Sequence, residues 1–318
     1  MSDCPPEVSL ARLVLRDEGF PPGGDLKSLV LRFASIEFTP IPFNADGISV
    51  KLKSPDQRPH VIINSDNPPT RQKFTLAHEF GHVLIPWHVG TICSHIDSAP
   101  SEDSEYYSQE GEANRFASEL LVPTGWVEQV FQSHQDPAET LKEVVFTSKI
   151  SPQAATIKLM QCLPPGFLCV ERNPQAPPQY YRSPGTITAA PYGEERFKQY
   201  DQLADKWFSL VLDHNRYRWW YFSQNHSIPT VAIERPWRDV LVDILKHVPD
   251  NQRFHAQQSL NGIISVASSR QTLKDAYNYI VCRIRGNDYA TYVIDHPDLY
   301  PFLIARLKEL RHKKVMKT

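Results

Sequence analysis

Five consecutive residues, His78-Glu79-Phe80-Gly81-His82, place two demands on any fold that contains them. Histidines four apart stack on one side of an α-helix, so both imidazoles can reach a single ion. The glutamate between them projects alongside, where it can take a proton from a water held there. Phe74, Ala77, Gly81 and Ile85 share the face of the two histidines, while Leu76, Phe80, Val83 and Trp87 line another. A helix that is apolar nearly all round is a buried helix. Imidazoles buried in it cost free energy unless they are satisfied, and a divalent metal satisfies both. The alternative, a pair of core histidines bonded to protein groups, leaves a buried Glu79 still in need of a partner.

Two histidines call for a third protein ligand and one position left open for water. His88, His95, Asp97, Glu110 and Glu112 all lie downstream within reach. The stretch from Glu110 to Leu121 separates them. Ala113, Phe116, Ala117, Leu120 and Leu121 follow the i, i+3, i+4, i+7 rhythm of a core-facing stripe. Glu110 falls on that stripe, whereas Glu112 lines up with Arg115 and Glu119 on the polar side. An inward carboxylate needs a cation, and the metal is the obvious one; favourable placement at a helix N-terminus is the other reading. Asn114, one turn after Glu110, can hydrogen-bond a ligating histidine. For the oxyanion of a tetrahedral intermediate, His88, His95, Tyr106 and Tyr107 are candidates without a ranking.

Phe74-Thr-Leu-Ala-His-Glu-Phe-Gly-His82, followed by Glu110-x-Glu-Ala-Asn-Arg-Phe-Ala-x-Glu-Leu-Leu-Val-Pro123, resembles the ImmA/IrrE family of bacterial metallopeptidases. The Val61-Ile-Ile-Asn64 run and Arg71 also fit that family's layout, and the resemblance spans residues 10–162. Val122 stands where family members usually carry methionine. The resemblance implies a zincin-like, thermolysin-type site in which His78, His82 and Glu110 bind the metal and Glu79 is the general base. It also implies intracellular cleavage of a regulatory protein, a DNA-binding repressor or an antitoxin-type partner, in a stress, phage or mobile-element response. Zn2+ is the default ion for such a ligand set, with Mn2+ tolerated. The competing reading is a metal-binding transcriptional regulator or nucleic-acid-binding sensor with little turnover. An intact Glu79 speaks for the enzyme, since a site that only binds has no chemical use for a base.

The expected architecture is α+β. Residues 1–123 form the peptidase core, with a small sheet and the motif helix. Extended runs are expected at Ile36–Pro40, Gly47–Leu52 and His60–Asn64, the last either an edge strand that pairs with substrate backbone or an internal one. Residues 124–163 read as a helical extension. Its Ile150-Ser151-Pro152 joint suggests a helix-turn-helix, with Lys149 and Lys158 near a phosphate; plain packing on the core is the alternative. Residues 164–191 read as a proline-rich linker that cannot be a continuous helix or a central strand, with Phe167–Glu171 its only strand-like run, and residues 192–318 read as a separate mixed α/β domain for sensing or partner recognition. In it, Arg216-Tyr-Arg-Trp-Trp-Tyr-Phe222 alternates like a strand. Such a run is either half-buried core or a stacking surface for single-stranded nucleic acid. The terminal Arg311-His-Lys-Lys314 reads as a solvated tail.

Composition excludes several classes. Hydrophobic residues at 41% are enough for a real core, so a chain disordered throughout is ruled out. Lys plus Arg number 34 against 36 Asp plus Glu, a net charge of −2, which argues against a dedicated polyanion binder. The 5 cysteines are scattered and form no C-x-x-C pair, so a reducing compartment fits best. The N-terminus lacks the basic-then-apolar order of a signal peptide. No apolar run approaches the ~20 residues of a membrane span. The expectation is a cytoplasmic protein without a membrane association.

Overall fold

The computed structural model describes residues 4–94, 104–187, 194–228 and 235–315. The chain divides into two compact units, Met1–Cys162 and Leu163–Thr318. Its 27 prolines are put to local use. In the first unit, helices α1 (Pro6–Asp17), α3 (Pro69–Leu84), α6 (Pro137–Ser148) and α7 (Pro152–Cys162) each begin on a proline. The missing N–H costs nothing there, because the first helical amides have no partner in any case. The remaining elements of this unit are α2 (Leu26–Val30), β1 (Ser35–Thr39), β2 (Gly47–Leu52), β3 (His60–Asn64), β4 (Gly90–Ser94), α4 (Ser104–Leu121) and α5 (Thr124–His134).

The four strands form one sheet in the order β1-β3-β2-β4. β1 runs parallel to β3, and the other two pairings are antiparallel. The His60–Asn64 run is therefore an internal strand. Both its edges are taken, so the edge-strand role considered for it is excluded, and β4 holds the outer position instead. α3 packs on the sheet and against α4. Phe80 joins the two layers, its ring 5.3 Å from Phe33 and 5.9 Å from Phe116. At the α3–α4 crossing a Cβ on residue 81 would lie 3.1 Å from the Phe116 ring and 3.3 Å from the Ala113 backbone. Glycine there lets the helices close to a distance that no other residue would permit without displacement.

The outer side of α4 is buried at its C-terminal end. Glu119, expected on a polar face, is 3% exposed. It accepts hydrogen bonds from Arg12 Nε of α1 at 2.8 Å, Lys158 Nζ of α7 at 2.8 Å and Thr124 Oγ1 at 2.6 Å. Burial would raise its carboxyl, but the Lys158 charge and these donors outweigh it and hold the group below the ordinary range. Lys158 is thus consumed inside the unit, and the phosphate-contacting role considered for it is overturned. Ser151 accepts from the Ala154 amide at 3.2 Å at the start of α7. Lys73 donates to the Ser148 carbonyl at 2.7 Å and ties α6 to α3.

The second unit starts before residue 192. Residues 164–191, read as a linker, contain β5 (Phe167–Asn173) and β6 (Ala176–Arg182). With β7 (Lys206–Leu212) and β8 (Asn215–Tyr221) they form an antiparallel sheet in the order β6-β5-β8-β7. Proline density excluded a central strand, and Pro177 and Pro178 sit on β6, an edge strand that has to satisfy a neighbour on one side only. β5 is free of proline and buried. Helix α8 (Glu194–Leu203) lays Phe197 and Tyr200 over Leu168, Val170, Trp220 and Phe222.

Among the described residues this unit has four further α-helices: α9 (Trp237–Leu245), α10 (Asp250–Ala267), α11 (Leu273–Arg285) and α12 (Leu299–Val315). They share a separate apolar core that includes Leu241, Leu260, Ile280 and Phe302. Arg311, placed by the sequence in a solvated tail, donates to the carbonyls of Arg270 and Gln271 at 2.6 and 2.8 Å. Among the described residues no helix is long and apolar enough to cross a membrane.

Candidate metal centre

α3 is aimed by its two ends. At the start, Arg71 forms a two-pronged ion pair with Asp46, at 2.6 and 2.8 Å, which fixes the helix to the loop entering β2. At the end, Lys53 Nζ reaches the carbonyls of His82 and Val83, which have no intrahelical partner. Between these anchors His78, Glu79 and His82 are fully buried.

His78, His82 and Glu110 converge, and among the described residues they are the His, Cys, Asp or Glu group arranged to hold a metal ion. The two Nε2 atoms stand 3.0 Å apart, and each faces its own Glu110 oxygen at 3.3 Å. Bonds of about 2.0–2.1 Å to a tetrahedral ion would set ligand atoms about 3.3 Å apart, close to these separations. Neither Glu110 oxygen has a hydrogen-bond partner of proper geometry among the described residues.

The far sides of both rings complete the fit. His78 Nδ1 meets Asn114 Oδ1 at 2.9 Å. His82 Nδ1 meets His88 Nδ1 at 2.8 Å, and His88 Nε2 lies 3.0 Å from Glu112 Oε2. With the rings neutral, each Nδ1–H donates outward: His78 to Asn114, and His82 to His88, whose Nε2–H donates to Glu112. Both Nε2 lone pairs then point at one another and at a carboxylate. Two lone pairs and an anion facing across 3 Å of buried space suit a divalent cation.

Without an ion, the carboxylates facing the imidazoles favour a proton on His78, a positive charge in the place a divalent cation would fill. Burial would raise the Glu110 carboxyl, but the facing imidazoles outweigh it and hold the group at about 2. Burial pushes His82 down to about 4. His78 is raised, because Glu110 and Glu79 overcome its desolvation. Glu79 is carried by burial up to about 7, with His78 and the Ser49 hydroxyl pulling the other way.

Glu79 is positioned by β2. Ser49 Oγ donates to its Oε2 at 2.5 Å, while Oε1 has no hydrogen-bond partner among the described residues. Gly47, two residues earlier on the same strand face, leaves the room: a Cβ there would lie 2.5 Å from Glu79 Oε1 and 2.8 Å from Thr75 Cγ2.

Sequence reasoning missed two participants, Gly47 and Ser49, and the role of a third, His88. Gly47 and Ser49 carried a signal, since a glycine and a hydroxyl on the buried face of an otherwise β-branched strand leave a gap and a donor there. His88 was weighed as a metal ligand and as an oxyanion partner, and fills neither role: one ring nitrogen serves His82 and the other serves Glu112. Glu112 turns away from the ligand trio, as its helical position required. It is not simply solvated, since it accepts from Trp87 Nε1 at 2.5 Å as well as from His88. His95 and Asp97 lie outside the described residues, as do the side chains of Tyr106 and Tyr107.

Comparison with known proteins bears on this unit. Residues 34–160 match the family model Peptidase_M78, described as the IrrE N-terminal-like domain. That segment holds the sheet, α3, α4 and all three converging side chains, so the likeness to the IrrE N-terminal-like domain covers the whole candidate metal centre. A Mycobacterium tuberculosis transcriptional regulator is 13% identical, with 68% of this chain and 87% of that chain covered and a TM-score of 0.40. No match is found among curated proteins.

Proposed function

We propose that the protein is a metal-dependent endopeptidase of the gluzincin type, with His78, His82 and Glu110 holding a Zn2+ ion and Glu79 acting as general base. The observation that carries this reading is the convergence of two outward-braced imidazoles on an unpartnered, buried carboxylate. Mn2+ is the alternative occupant for the same donors. Bound there, a divalent ion supplies a Lewis acid for the scissile carbonyl and lowers the pKa of a water toward ~7.

The chain's own groups do the rest. Glu79 has one oxygen held by Ser49 and one without a partner, so it can take a proton on the free oxygen without turning. Burial strengthens this carboxylate as a proton acceptor, and the same oxygen can hand the proton on to a leaving amine. Asn114 and His88 keep the two imidazoles from rotating off the site. β4, the edge strand beside the strand that carries Gly47 and Ser49, offers backbone groups to an extended peptide.

The substrate we favour is a regulatory protein of repressor or antitoxin type, cleaved in a stress, phage or mobile-element response, with the second unit recognising the trigger or a partner. A cytoplasmic setting accords with five unpaired cysteines. The test is Glu79→Gln with metal analysis, followed by co-expression with the product of a neighbouring regulator gene. The variant should keep its metal and leave the regulator intact, while the parent makes one defined cut. Loss of metal from Glu79→Gln would show that the base has been misassigned.

A further inference from the structure

The sheet of the second unit has two edges, and they are built in opposite ways. One of any two consecutive strand residues faces outward, so the Pro177-Pro178 pair on β6 removes an amide that a further strand would need. β7, Lys206-Trp-Phe-Ser-Leu-Val-Leu212, has no proline, and its one charge is at its first residue. Trp207 and Val211 are 51% and 67% exposed on it. Trp207 is nonetheless held in place: the Arg218 guanidinium stacks 4.5 Å from its ring, and Asp201 pairs with that guanidinium at 2.7 Å. A long apolar edge is a template for another strand, and chains that do not use one blunt it.

The hairpin decides which backbone groups β7 offers. Asp213 and His214, with φ of 46° and 68°, form the two-residue turn that joins β7 to β8. The residues flanking such a turn, Leu212 and Asn215, make a hydrogen-bonded pair. Pairs of this kind recur at every second residue, so Leu210 and Phe208 also turn their amides toward β8. The other side of β8 agrees. Phe222 N–H donates to the Gly166 carbonyl at 2.9 Å, so the even-numbered residues of β8 face β5 and the odd-numbered ones face β7. Trp207, Ser209 and Val211 therefore turn their N–H and C=O groups outward, and no described residue takes them up.

We propose that β7 pairs antiparallel with β7 of a second copy of this chain, across a two-fold axis at Ser209. Outward residues exchange hydrogen bonds with outward residues, and the longest such overlap sets Ser209 opposite Ser209, and Trp207 opposite Val211 of the other copy. That second pair puts an aromatic ring beside a β-branched side chain on one sheet face, a favourable cross-strand neighbour. Lys206 and Asp213, at opposite ends of the strand, are exposed and have no ion-pair partner among the described residues. The two-fold brings Lys206 of each copy within one position of Asp213 of the other, so the ends are complementary in charge. A second copy fits better than a foreign strand, because self-pairing uses up the unguarded edge of this sheet in both copies at once. The joined sheet then ends on β6 at either side, where the prolines stop growth, and assembly closes at two. The inference does not rest on the peptidase reading, and Glu79→Gln protein should pair as the parent does.

The experiment is sedimentation velocity of the full-length chain from about 1 to 200 μM, which should show a monomer–dimer equilibrium half complete between about 1 and 100 μM. Hydrogen exchange at the Trp207, Ser209 and Val211 amides should slow by about tenfold or more from the dilute to the concentrated end. Ser209→Lys sets two like charges face to face on the axis, and Ser209→Glu does the same with the other sign. Each variant alone should weaken association by about tenfold or more, with melting unchanged at low concentration, and an equal mixture of the two should restore it. A chain still monomeric at about 200 μM overturns the proposal and leaves the edge to a strand of a different protein. A dimer untouched by Ser209→Lys, a mixture that associates no better than either variant alone, or species that grow past two copies would overturn it as well.

Discussion

Replacing Gly47 by alanine tests whether β2 sets the position of the general base. Gly47 does not use the left-handed backbone region, so alanine brings no conformational penalty. Its single added carbon would stand 2.5 Å from Glu79 Oε1 and 2.9 Å from Glu79 Cδ, whereas ordinary contact begins at 3.4 Å. The carboxylate has to withdraw by about 0.9 Å, since Thr75 Cγ2 at 2.8 Å closes the other side. A displacement of about 1 Å in a reacting group costs on the order of 10²-fold in rate. Crowding of this kind also lowers stability by about 1–3 kcal/mol. His78, His82 and Glu110 are not among the atoms met, so metal affinity should change by no more than about threefold. The assay is hydrolysis of a labelled unfolded protein by metal-loaded enzyme, with Glu79→Gln as the zero line and a melting curve to confirm folding. A Gly47→Ala protein that turns over substrate like its parent would refute the argument that this glycine exists to make room for the base.

Glu110→Ala should weaken metal binding several hundredfold, from about 10–16 kcal/mol shared among four ligands, whereas Glu112→Ala should cost about 10–100-fold through His88; competition with a chromophoric chelator measures both, and equal losses would undo the assignment. Lys158→Met should destabilise the first unit by about 3 kcal/mol in denaturant titration, because Glu119 stays buried with only the half-exposed Arg12 for charge. A change of less than about 0.5 kcal/mol would mean that the pair contributes little. For the metal-free chain the acid limb follows from Glu110, which ionises at about 2 when folded against an ordinary 4.5. The unfolded chain takes up that proton first, so stability present above pH 4.5 is lost as the pH falls toward 2. Glu110→Gln should flatten this limb by up to about 1.4 kcal/mol per pH unit, and an unchanged slope would contradict the ionised carboxylate.

What could be read from the sequence was whatever a periodicity carried. The motif helix, the inward turn of Glu110 and the Asn114 contact followed from helical spacing, and three of the four strands of the first sheet followed from β-branched alternation. β4 did not, because Gly90-Thr-Ile-Cys-Ser94 has one strongly apolar residue and no rhythm. His88 was opaque for another reason: it reaches His82 across the turn that follows α3, where no repeating spacing applies. Glu119 was misread as solvated because its burial comes from α1 and α7, elements far off in sequence. An acid one residue before Leu120, and a lysine in the apolar helix Pro152–Cys162, were the two halves of a signal that made sense only together. The linker reading failed because proline density was taken for a domain boundary: it excluded a central strand, but the edge strand β6 carries Pro177 and Pro178, and Phe167–Glu171, the one strand-like run in the segment, is part of β5.

The Glu119 cluster bears on how the protein can be dissected. α4 carries Glu110 near one end and Glu119 nine residues on, ~13 Å along the same rigid rod. All the proposed ligands lie upstream of Pro123, which makes a fragment ending there a tempting minimal peptidase. Such a fragment would lose the ammonium and the hydroxyl that neutralise Glu119, leaving Arg12 to do so alone beside a face stripped of α5 and α7. The rod would be free to roll, and Glu110 would swing with it. A fragment meant to retain metal therefore has to extend through Cys162: the downstream helices act as the clamp that holds the ligand-bearing helix at its working angle.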